Sequence, residues 1–459
     1  MNNTLKKFSL ISVFMFFLIA CSAIQISLQV NIPPLTPTMM PTILASTPQP
    51  SGTSSPTITY SAFTGTPVPT WTALSPLPKN QSFHLTGLNM LSETTGWGIE
   101  AWGHVVHTVD GGKTWRDVTP PQASYIRKRS FFSTDPNQAW AASDGITSIR
   151  TWHTLNAGQD WEVGNTIDLN TLDITPCESL HFSRSSVYQL HFIDSRQGWM
   201  LVKASADGHA GYVSLLFATQ DAGMNWELRH IATTNCSSGG GLDGLSAVLF
   251  LNPLDGFGGF SSRRHQEPPH NQIPFLGGWD IYITQDGGRN WQRKGLSAPS
   301  DFLDAASKRE NDWEYASCGV TKIVKLYYSV YSLRLRCFIP PNNSYSFYYL
   351  TFDNGTNWTF LELNNHEELF FSEIYDNDRV ILWRFLAYES DRLNEIEKSI
   401  DNGKTWTVIK KVEWKFAQLH FVTENFGWAL VTDEAGKSVF VRTTNGGRTW
   451  TLLNPIIKP

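Results

Sequence analysis

The chain contains, at residues 108–115, the octapeptide Thr108-Val109-Asp110-Gly111-Gly112-Lys113-Thr114-Trp115, which we call the box. Six more copies begin at Thr154, Thr219, Thr284, Thr351, Ser399 and Thr443. In every copy the third residue is Asp or Asn, the fifth is Gly and the eighth is Trp. The Asx and Trp residues are Asp110, Trp115, Asn156, Trp161, Asp221, Trp226, Asp286, Trp291, Asp353, Trp358, Asp401, Trp406, Asn445 and Trp450. Seven copies indicate a repeat architecture.

Each box position has a physical reason in a hairpin turn. The Asx side chain accepts backbone N–H bonds across the loop, and the Gly two residues later supplies a positive φ. Thr or Ser at the first position ends one strand, and Trp at the eighth begins the next with its ring turned inward. We therefore interpret the box as a structural turn.

Box spacing predicts an all-β fold, a seven-bladed β-propeller. Successive boxes are 44 to 67 residues apart; about 45 residues fit a four-stranded blade, and longer spacings fit a blade with an insertion. A second element, a Gly followed by an aromatic residue, precedes most boxes and predicts the start of an inner strand. It occurs at Gly96-Trp97, Gly198-Trp199, Gly256-Phe257 and Gly427-Trp428; Trp140 and Trp383 stand in similar places without Gly. The fifth unit, between Cys318 and Cys337, has no clear counterpart.

These residues resemble the Asp-box (BNR) repeats of bacterial sialidases, sortilin ectodomains, xyloglucanases and the photosystem II stability/assembly factor family. The pairing of a Gly-Trp strand with the box is most similar to the last of these. The resemblance covers nearly all of the folded part. It implies a scaffold that binds a membrane or cell-envelope protein.

For ring closure we expect residues 79–85 to form an added strand beside residues 450–453.

Composition excludes several classes of protein. With 41% apolar and 13% aromatic residues in 459, the chain can bury a sizeable core, which argues against disorder throughout. Only 17% of residues are charged, which argues against a coiled coil. A net charge of −5 offers no basic field for nucleic acid. We expect a monomer without cofactor or metal.

The N-terminal residues predict export. Lys6 and Lys7 precede an apolar run too short to span a membrane, as in a signal peptide. The run ends in Leu18-Ile19-Ala20-Cys21, which resembles a bacterial lipobox; an ordinary signal peptide with an incidental Cys is the alternative. Residues 31–79 contain 11 Pro, 11 Thr and 6 Ser and predict a disordered tether. We therefore divide the chain into a lipoprotein signal peptide (1–21), a disordered linker (22–79) and the propeller (80–459).

The remaining four cysteines are expected to form disulfides outside the cytoplasm. We favour the pairs Cys177 with Cys236 and Cys318 with Cys337, since each pair brackets one repeat or its insertion. Free buried thiols are the alternative. A zinc site is disfavoured because no Cys-x-x-Cys spacing occurs.

Insertions between repeats are the expected places for recognition. Arg263, Arg264, His265 and His270 form a candidate anion-binding loop, with a solvated hairpin tip as the alternative. Within residues 80–459, five tryptophans lie outside both recurring elements and are candidates either for stacking against a ligand or for core packing: Trp102, Trp152, Trp279, Trp313 and Trp414.

The sequence contains no convincing motif of a catalytic site. Resemblance to a sialidase would require an Arg clamp for the substrate carboxylate, and no Arg occurs between Lys79 and His107. We therefore predict a non-catalytic, extracytoplasmic lipoprotein of a bacterial cell membrane, attached by lipid at Cys21, that binds a protein partner. The alternative is a carbohydrate-binding protein or a glycoside hydrolase, sialidase-like or xyloglucanase-like, built on the same repeats.

Overall fold

Each box lies in the turn between the third and fourth strands of a four-stranded antiparallel sheet. The computed structural model describes residues 72–174, 181–206, 212–232, 244–261, 280–297, 317–339, 343–361, 370–376, 378–388 and 393–458. The chain divides into two units, Met1–Gly65 and Thr66–Pro459, and all described residues belong to the second.

Seven such four-stranded units follow one another along the chain, and we number them as blades 1 to 7; pairing of Ser261 with Gly319 joins the fourth and fifth units into one eight-stranded sheet. Blade 1 contains β1 (Leu85–Met90), β2 (Gly96–Glu100), β3 (Val105–Thr108) and β4 (Thr114–Asp117). Blade 2 contains β5 (Phe131–Ser133), β6 (Ala139–Asp144), β7 (Ser148–Thr154) and β8 (Glu162–Val163), with β9 (Ile167–Asp168) added beside β7. Blade 3 contains β10 (Phe182–Phe192), β11 (Gly198–Ala206), β12 (Val213–Thr219) and β13 (Glu227–Ala232).

The remaining blades repeat this order. Blade 4 contains β14 (Gly244–Phe250), β15 (Gly256–Ser261), β16 (Asp280–Thr284) and β17 (Gln292–Gly295); blade 5 contains β18 (Ser317–Tyr327), β19 (Val330–Ile339), β20 (Asn343–Thr351) and β21 (Thr359–Leu361). Blade 6 contains β22 (Phe370–Asp376), β23 (Arg379–Leu386), β24 (Asn394–Ser399) and β25 (Thr407–Val412); blade 7 contains β26 (Phe416–Phe421), β27 (Gly427–Thr432), β28 (Ser438–Thr443) and β29 (Thr451–Leu453). A last strand, β30 (Ile456–Ile457), joins blade 1.

The hydrophobic core is divided into seven clusters, and each cluster lies between two neighbouring blades. The cluster between blades 1 and 2, for example, joins Trp97 to Trp152. The cluster between blades 7 and 1 joins Trp428 and Phe440 to Leu88 and Trp115. Because blade 7 packs on blade 1 as every other blade packs on its successor, the sheets form a closed ring. The fold is a seven-bladed β-propeller, as the box spacing predicts.

Ring closure differs from our expectation. Residues 79–85 do not pair with residues 450–453; instead, β30 runs parallel to β4, the outermost strand of blade 1. The amide of Asn80 donates to the carbonyl of Ile457, and the amide of Phe83 donates to that of Pro455. The C-terminal strand therefore lies between β4 and the residues that precede β1. All four strands of blade 7 come from one continuous segment, and the strand that spans the junction, β30, is added to blade 1 instead.

The second recurring element opens the second strand of its blade. Trp140, Trp199 and Trp383 stack on the last residue of the first strand of the next blade, with ring centroids 3.8–4.0 Å apart. In blade 5 the position in register with Trp199 is occupied by Ser332, which agrees with the missing counterpart in the fifth unit.

Among the described residues the only helical segments are two single turns of 3-10 helix, η1 (Lys128–Ser130) and η2 (Leu169–Thr171). In this part of the chain no helix has both the length and the apolar character needed to span a bilayer.

Candidate functional site

The propeller has two faces, and different turns and connections lie on each of them. Neighbouring strands are antiparallel, so the turns after the first and third strands lie at one end of each blade. This end carries the seven boxes, and we call it the box face. The turns after the second strand and the connections between blades lie at the opposite end, which we call the loop face.

The boxes use their polar groups within their own turns. In all seven, the first-position hydroxyl donates to the Asx side chain over 2.8–3.1 Å and accepts the amide of the fifth-position Gly over 2.9–3.1 Å. The seventh-position amide donates to the same Asx oxygen over 2.8–3.0 Å. Each Asx therefore holds both ends of its turn.

Backbone conformation in the boxes is left-handed at two successive residues. The fifth-position Gly has positive φ in every box, and so does the fourth-position residue, which is Gly111, Ala157, Ala222, Gly287, Asn354, Asn402 or Gly446. Ala at such an angle carries a steric cost that Gly avoids. The side-chain hydrogen bonds of the box hold this conformation in place.

These hydrogen bonds also favour ionised box carboxylates. At Asp110 burial by itself opposes ionisation, but the hydrogen bonds from Thr114 and Thr108 outweigh it and lower the pKa. The pKa of Asp353 is lowered chiefly by the amide of Asn357. The pKa values of Asp221, Asp286 and Asp401 are lowered in the same way. The carboxylate oxygens accept hydrogen bonds within the turn and are not presented to a ligand.

The box tryptophans pack at the edge of the interfaces between blades. Trp115 is fully buried, whereas the other six are partly buried. Nε1 of Trp115, Trp226 and Trp291 donates to the carbonyl of the fifth-position Gly of its own box over 2.9–3.1 Å. These three rings therefore pack against their own turns. The expected burial of the box tryptophan is complete only for Trp115 in blade 1.

Cys318 and Cys337 form a disulfide between directly opposed residues of β18 and β19. Cys21, Cys177 and Cys236 lie outside the described residues, as do Arg263, Arg264, His265 and His270. The strands that flank the last four, β15 and β16, meet the loop face. Of the five isolated tryptophans, Trp152 is core, Trp414 is half-buried, and Trp279 and Trp313 lie outside the described residues.

Trp102 is the most exposed large apolar side chain of the loop face in blades 1 and 2. It is 74% exposed at the tip of the β2–β3 turn, and Ile146, at the tip of the β6–β7 turn, is 69% exposed. Tyr125, on the connection between these blades, is 41% exposed. The guanidinium of Arg127 lies over the Tyr125 ring, 5.2 Å from its centroid. We call these four residues the blade 1–2 patch.

Polar contacts fix the patch in place. The amide of Trp102 donates to the Glu100 carboxylate over 2.7 Å, and the Tyr125 ring lies against Gly103, where a Cβ atom would come within 2.7 Å of it. The guanidinium of Arg127 contacts both carboxylate oxygens of Asp144 at 2.5 and 2.6 Å. Trp102, Tyr125 and Arg127 are therefore exposed groups with defined neighbours, and Ile146 lies two residues after Asp144 in the β6–β7 turn.

A concave feature lies between blades 6 and 7, near their outer strands. It is an open cleft of about 690 Å³ lined by Trp414, Trp450, Lys410, Asp433 and Glu434, among others. The two indole rings meet edge to face with centroids 5.5 Å apart. An aromatic wall beside carboxylates is a chemistry suited to sugars.

Metal-ligating side chains do not cluster in the part of the chain that the structure describes. No group of three or more His, Cys, Asp or Glu residues there could hold an ion. His104 and His107, three residues apart around β3, hydrogen-bond to Thr119 and to the carbonyl of Pro136 respectively.

The fold of this chain is similar to that of other propellers of known structure. No protein-family model and no curated protein matches the chain. The fold is similar to that of YCF48 bound to D1 peptide, with 16% identity and a TM-score of 0.44 over 81% of this chain and 99% of that chain. It is also similar to the GH74 xyloglucanase from Xanthomonas campestris, with 12% identity and a TM-score of 0.48 over 83% of this chain and 55% of that chain. This chain thus spans about half of the xyloglucanase.

A third similar structure is a polysaccharide lyase, the PL25 ulvan lyase, with 8% identity and a TM-score of 0.42 over 81% of this chain and 96% of that chain. Proteins that degrade polysaccharides are therefore among the similar structures. The count of seven blades is established by the sheets and interfaces of this chain itself.

The sequence analysis singles out one residue of the blade 1–2 patch. Trp102 stands out in the sequence because it belongs to neither recurring element. Tyr125, Arg127 and Ile146 give no comparable signal, since single aromatic, basic and aliphatic residues between strands are common. The signal that could have found them is their place: all lie in turns or connections that follow a second or fourth strand, and such segments meet at the loop face.

Proposed function

We propose that this chain is a non-catalytic, membrane-anchored extracytoplasmic propeller that binds a membrane or cell-envelope protein through its loop face. The observation that carries the proposal is the blade 1–2 patch, in which Trp102, Tyr125 and Ile146 stand exposed beside Arg127. Exposed apolar groups that are clustered rather than scattered mark interaction sites.

The composition of the patch favours a protein partner. Trp, Tyr and Arg are the residues on which binding energy concentrates in protein interfaces. Arg127 also supplies charge: its side chain is 40% exposed although one carboxylate, Asp144, already pairs with it. The partner surface should therefore combine an apolar groove for Trp102 with an acidic or carbonyl-rich rim.

The box face supports this assignment by contrast. Its box carboxylates and first-position hydroxyls are engaged in the turns of the boxes and are not presented to a partner, although this face also exposes single apolar side chains such as Tyr328 and Val109. The similarity of the box and Gly-Trp pattern to the photosystem II assembly factor family is the reason to test membrane proteins first.

Anchoring is the second part of the proposal. Lipid on Cys21 and the Pro- and Thr-rich residues 31–79 would hold the propeller at a membrane and give it reach. Replacing Cys21 by Ser should release the full-length protein from the membrane fraction, as measured by blotting after fractionation. Undiminished membrane retention of this variant would contradict anchoring by lipid.

The binding test uses a photo-crosslinking amino acid placed in the full-length, membrane-bound protein. Incorporated at position 102, it should yield a crosslinked adduct with a membrane or envelope protein. Incorporated at Ile400, which is 48% exposed on the box face, it should yield none. Absence of an adduct at position 102, or equal adducts at both positions, would overturn the loop-face assignment.

A glycan ligand is the second candidate, and the cleft beside Trp414 favours it. Aromatic rings that stack on sugars, with carboxylates at hydrogen-bonding range, are the usual elements of a carbohydrate site. A glycan array and a panel of aryl glycosides would detect binding or turnover. Binding abolished by Trp414→Ala would assign the cleft to a glycan, and turnover abolished by Asp433→Asn or Glu434→Gln would make the protein an enzyme.

A further inference from the structure

The central channel of the propeller contains a second set of charged groups, distinct from the blade 1–2 patch. The first strand of every blade is the innermost one and lines this channel. Lys322 and Lys325 lie on β18, the first strand of blade 5, and Lys128 and Arg129 form η1 immediately before β5, the first strand of blade 2. We call these four residues the channel cations.

The charges of the channel cations, which come from blades 2 and 5, act on one another and on buried histidines of two further blades. The positive charges of Lys322 and Arg129 act on Lys128, and those of Lys128 and Lys322 act on His420 of blade 7. Lys325 acts in the same way on His191 of blade 3. Side chains of blades 2 and 5 therefore share one electrostatic environment across the channel.

The stem of the Lys128 side chain packs on blade 1. Its Cβ and Cγ lie over Gly87 of β1, where a Cβ atom would come within 3.1 Å of both. The side chain remains accessible to water although protein surrounds it in the channel. Burial, and then the charges of Lys322 and Arg129, lower the pKa of Lys128 to about 8.

Few carboxylates balance these charges. Nζ of Lys322 lies 3.7 Å from Oε1 of Glu373 on β22. Among the described residues no carboxylate forms an ion pair with Lys128, Arg129 or Lys325. Glu373 and Asp376 are the only acidic residues on the seven innermost strands. Arg129 instead lies over the Tyr188 ring, 4.4 Å from its centroid.

This arrangement is unexpected for a protein of this overall charge. All 41 acidic residues and all but two of the 36 basic residues lie from Lys79 onward, which gives that part a net charge of −7. Mutually repelling cations inside an acidic molecule are unfavourable unless something compensates them. A channel lined by one sign of charge also focuses the field and concentrates ions of the opposite sign.

We propose that the central channel binds a small multivalent oxyanion, a molecule that carries two or more carboxylate or phosphate groups, between Lys128 of blade 2 and Lys322 of blade 5. Ammonium and guanidinium groups form charge-assisted hydrogen bonds with both kinds of group. Arg129 and Lys325 add to the attraction from the same two blades. Lys128 directly follows Arg127 of the blade 1–2 patch, but the proposed anion site uses none of the four patch residues and does not rest on the proposed protein binding.

The test is calorimetric titration of the purified full-length protein, at low ionic strength and pH 7, with citrate and with pyrophosphate. Saturable binding with one ligand per protein is expected for at least one of them. Citrate alone would assign carboxylate as the ligand group, pyrophosphate alone would assign phosphate, and binding of both would assign multivalent charge; each supports the site. Absence of saturable binding by either anion would overturn it.

Two double variants test where the anion binds. Lys128→Gln with Lys322→Gln should weaken binding at least tenfold. The matched control, Lys113→Gln with Lys404→Gln, removes two exposed box-face lysines and should leave binding unchanged. Equal weakening in both double variants would mean non-specific attraction and would contradict the proposal. Unchanged thermal unfolding of the Lys128/Lys322 variant is the control for correct folding.

Proton uptake provides a second readout. An anion beside Lys128 should raise its pKa from about 8, so binding at pH 8 should take up protons. The observed enthalpy should then change with the ionisation enthalpy of the buffer, and this dependence should be lost in Lys128→Gln. An enthalpy independent of the buffer would show that the anion binds elsewhere.

Discussion

At the scale of single residues, the box is a turn stabilised by its own side chains. The sequence predicts the roles of Asx and Gly correctly, because both residue types have strong turn chemistry. It does not reveal that the first-position hydroxyl bonds to the Asx side chain and to the Gly amide together. Thr is common at the end of a strand, so its hydroxyl gives no separate signal.

Replacing Asp286 by Ala should lower the free energy of unfolding by about 1–3 kcal/mol, because the amides of Arg289 and Asn290 lose their acceptor. Chemical denaturation measures this loss. Asp286→Asn is the matched control and should cost much less, since Asn156 and Asn445 serve the same position in two boxes. A loss of equal size in the two variants would show that the carboxylate charge, not the turn hydrogen bonds, is what matters.

At the scale of elements, the second strand of a blade links that blade to the next. Nε1 of Trp140, Trp199, Trp383 and Trp428 donates to the fourth-position carbonyl in the box of the following blade, over 3.0–3.3 Å. The two recurring sequence elements therefore bind each other across each of these interfaces. Sequence analysis separates the two motifs but cannot show that they meet, because the contact joins residues 63 to 317 positions apart.

The Gly before the strand aromatic is required by a close approach. A Cβ atom at Gly198 would lie 2.4 Å from the Phe192 ring, which stacks on Trp140 of blade 2. Gly198→Ala should therefore destabilise the protein by about 1–3 kcal/mol through overpacking. Gly295→Ala, where the nearest atom is 3.9 Å away, is the control and should be near neutral. Equal melting temperatures for the two variants would contradict the packing argument.

At the scale of the whole molecule, closure of the ring depends on residues that carry no motif. The short strand β30 packs Ile457 into the cluster between blades 7 and 1. An isolated Ile-Ile pair after the last box gives no sign of its partner, and our expectation for closure was wrong for this reason. The seven blades were predictable because the box recurs, whereas β30 has a sequence that occurs only once.

Ile457→Ala should lower the free energy of unfolding by about 2–5 kcal/mol, since it empties a buried position at the ring closure. Leu452→Ala, at a side chain that is 57% exposed on β29, should change stability little. Thermal unfolding of both variants measures the difference. A neutral Ile457→Ala would show that β30 does not contribute to closure.

Acid should destabilise the ring before it affects the boxes. Burial lowers the pKa values of His191 and His420 to about 4 each, with Lys325 contributing at the first and Lys128 and Lys322 at the second. Because the unfolded chain binds protons at these histidines below about pH 6.5 and the folded chain does not, stability should fall from pH 6.5 to pH 4. The box carboxylates, whose pKa values are also lowered, should lose their contribution only below about pH 4.

His420→Gln isolates one of these groups. Nε2 of His420 lies 2.8 Å from the carbonyl oxygen and 3.0 Å from the amide nitrogen of Met90 in blade 1. Gln189 makes both bonds to Val248 from blade 3 to blade 4, so a glutamine side chain in place of His420 should preserve the contact without titrating. The loss of melting temperature between pH 6.5 and 4 should therefore be smaller in His420→Gln; an unchanged loss would contradict this role.

Recognition by the loop face is the central claim, and the affinity for the partner that crosslinks at position 102 tests it most directly. Trp102→Ala with Ile146→Ser should weaken binding of that partner at least tenfold, because both exposed apolar contacts are removed. Val109→Ser with Ile400→Ser, which removes two exposed apolar side chains from the box face, should leave the affinity unchanged. Equal affinities for the two double variants, in proteins with the same melting temperature, would contradict the claim.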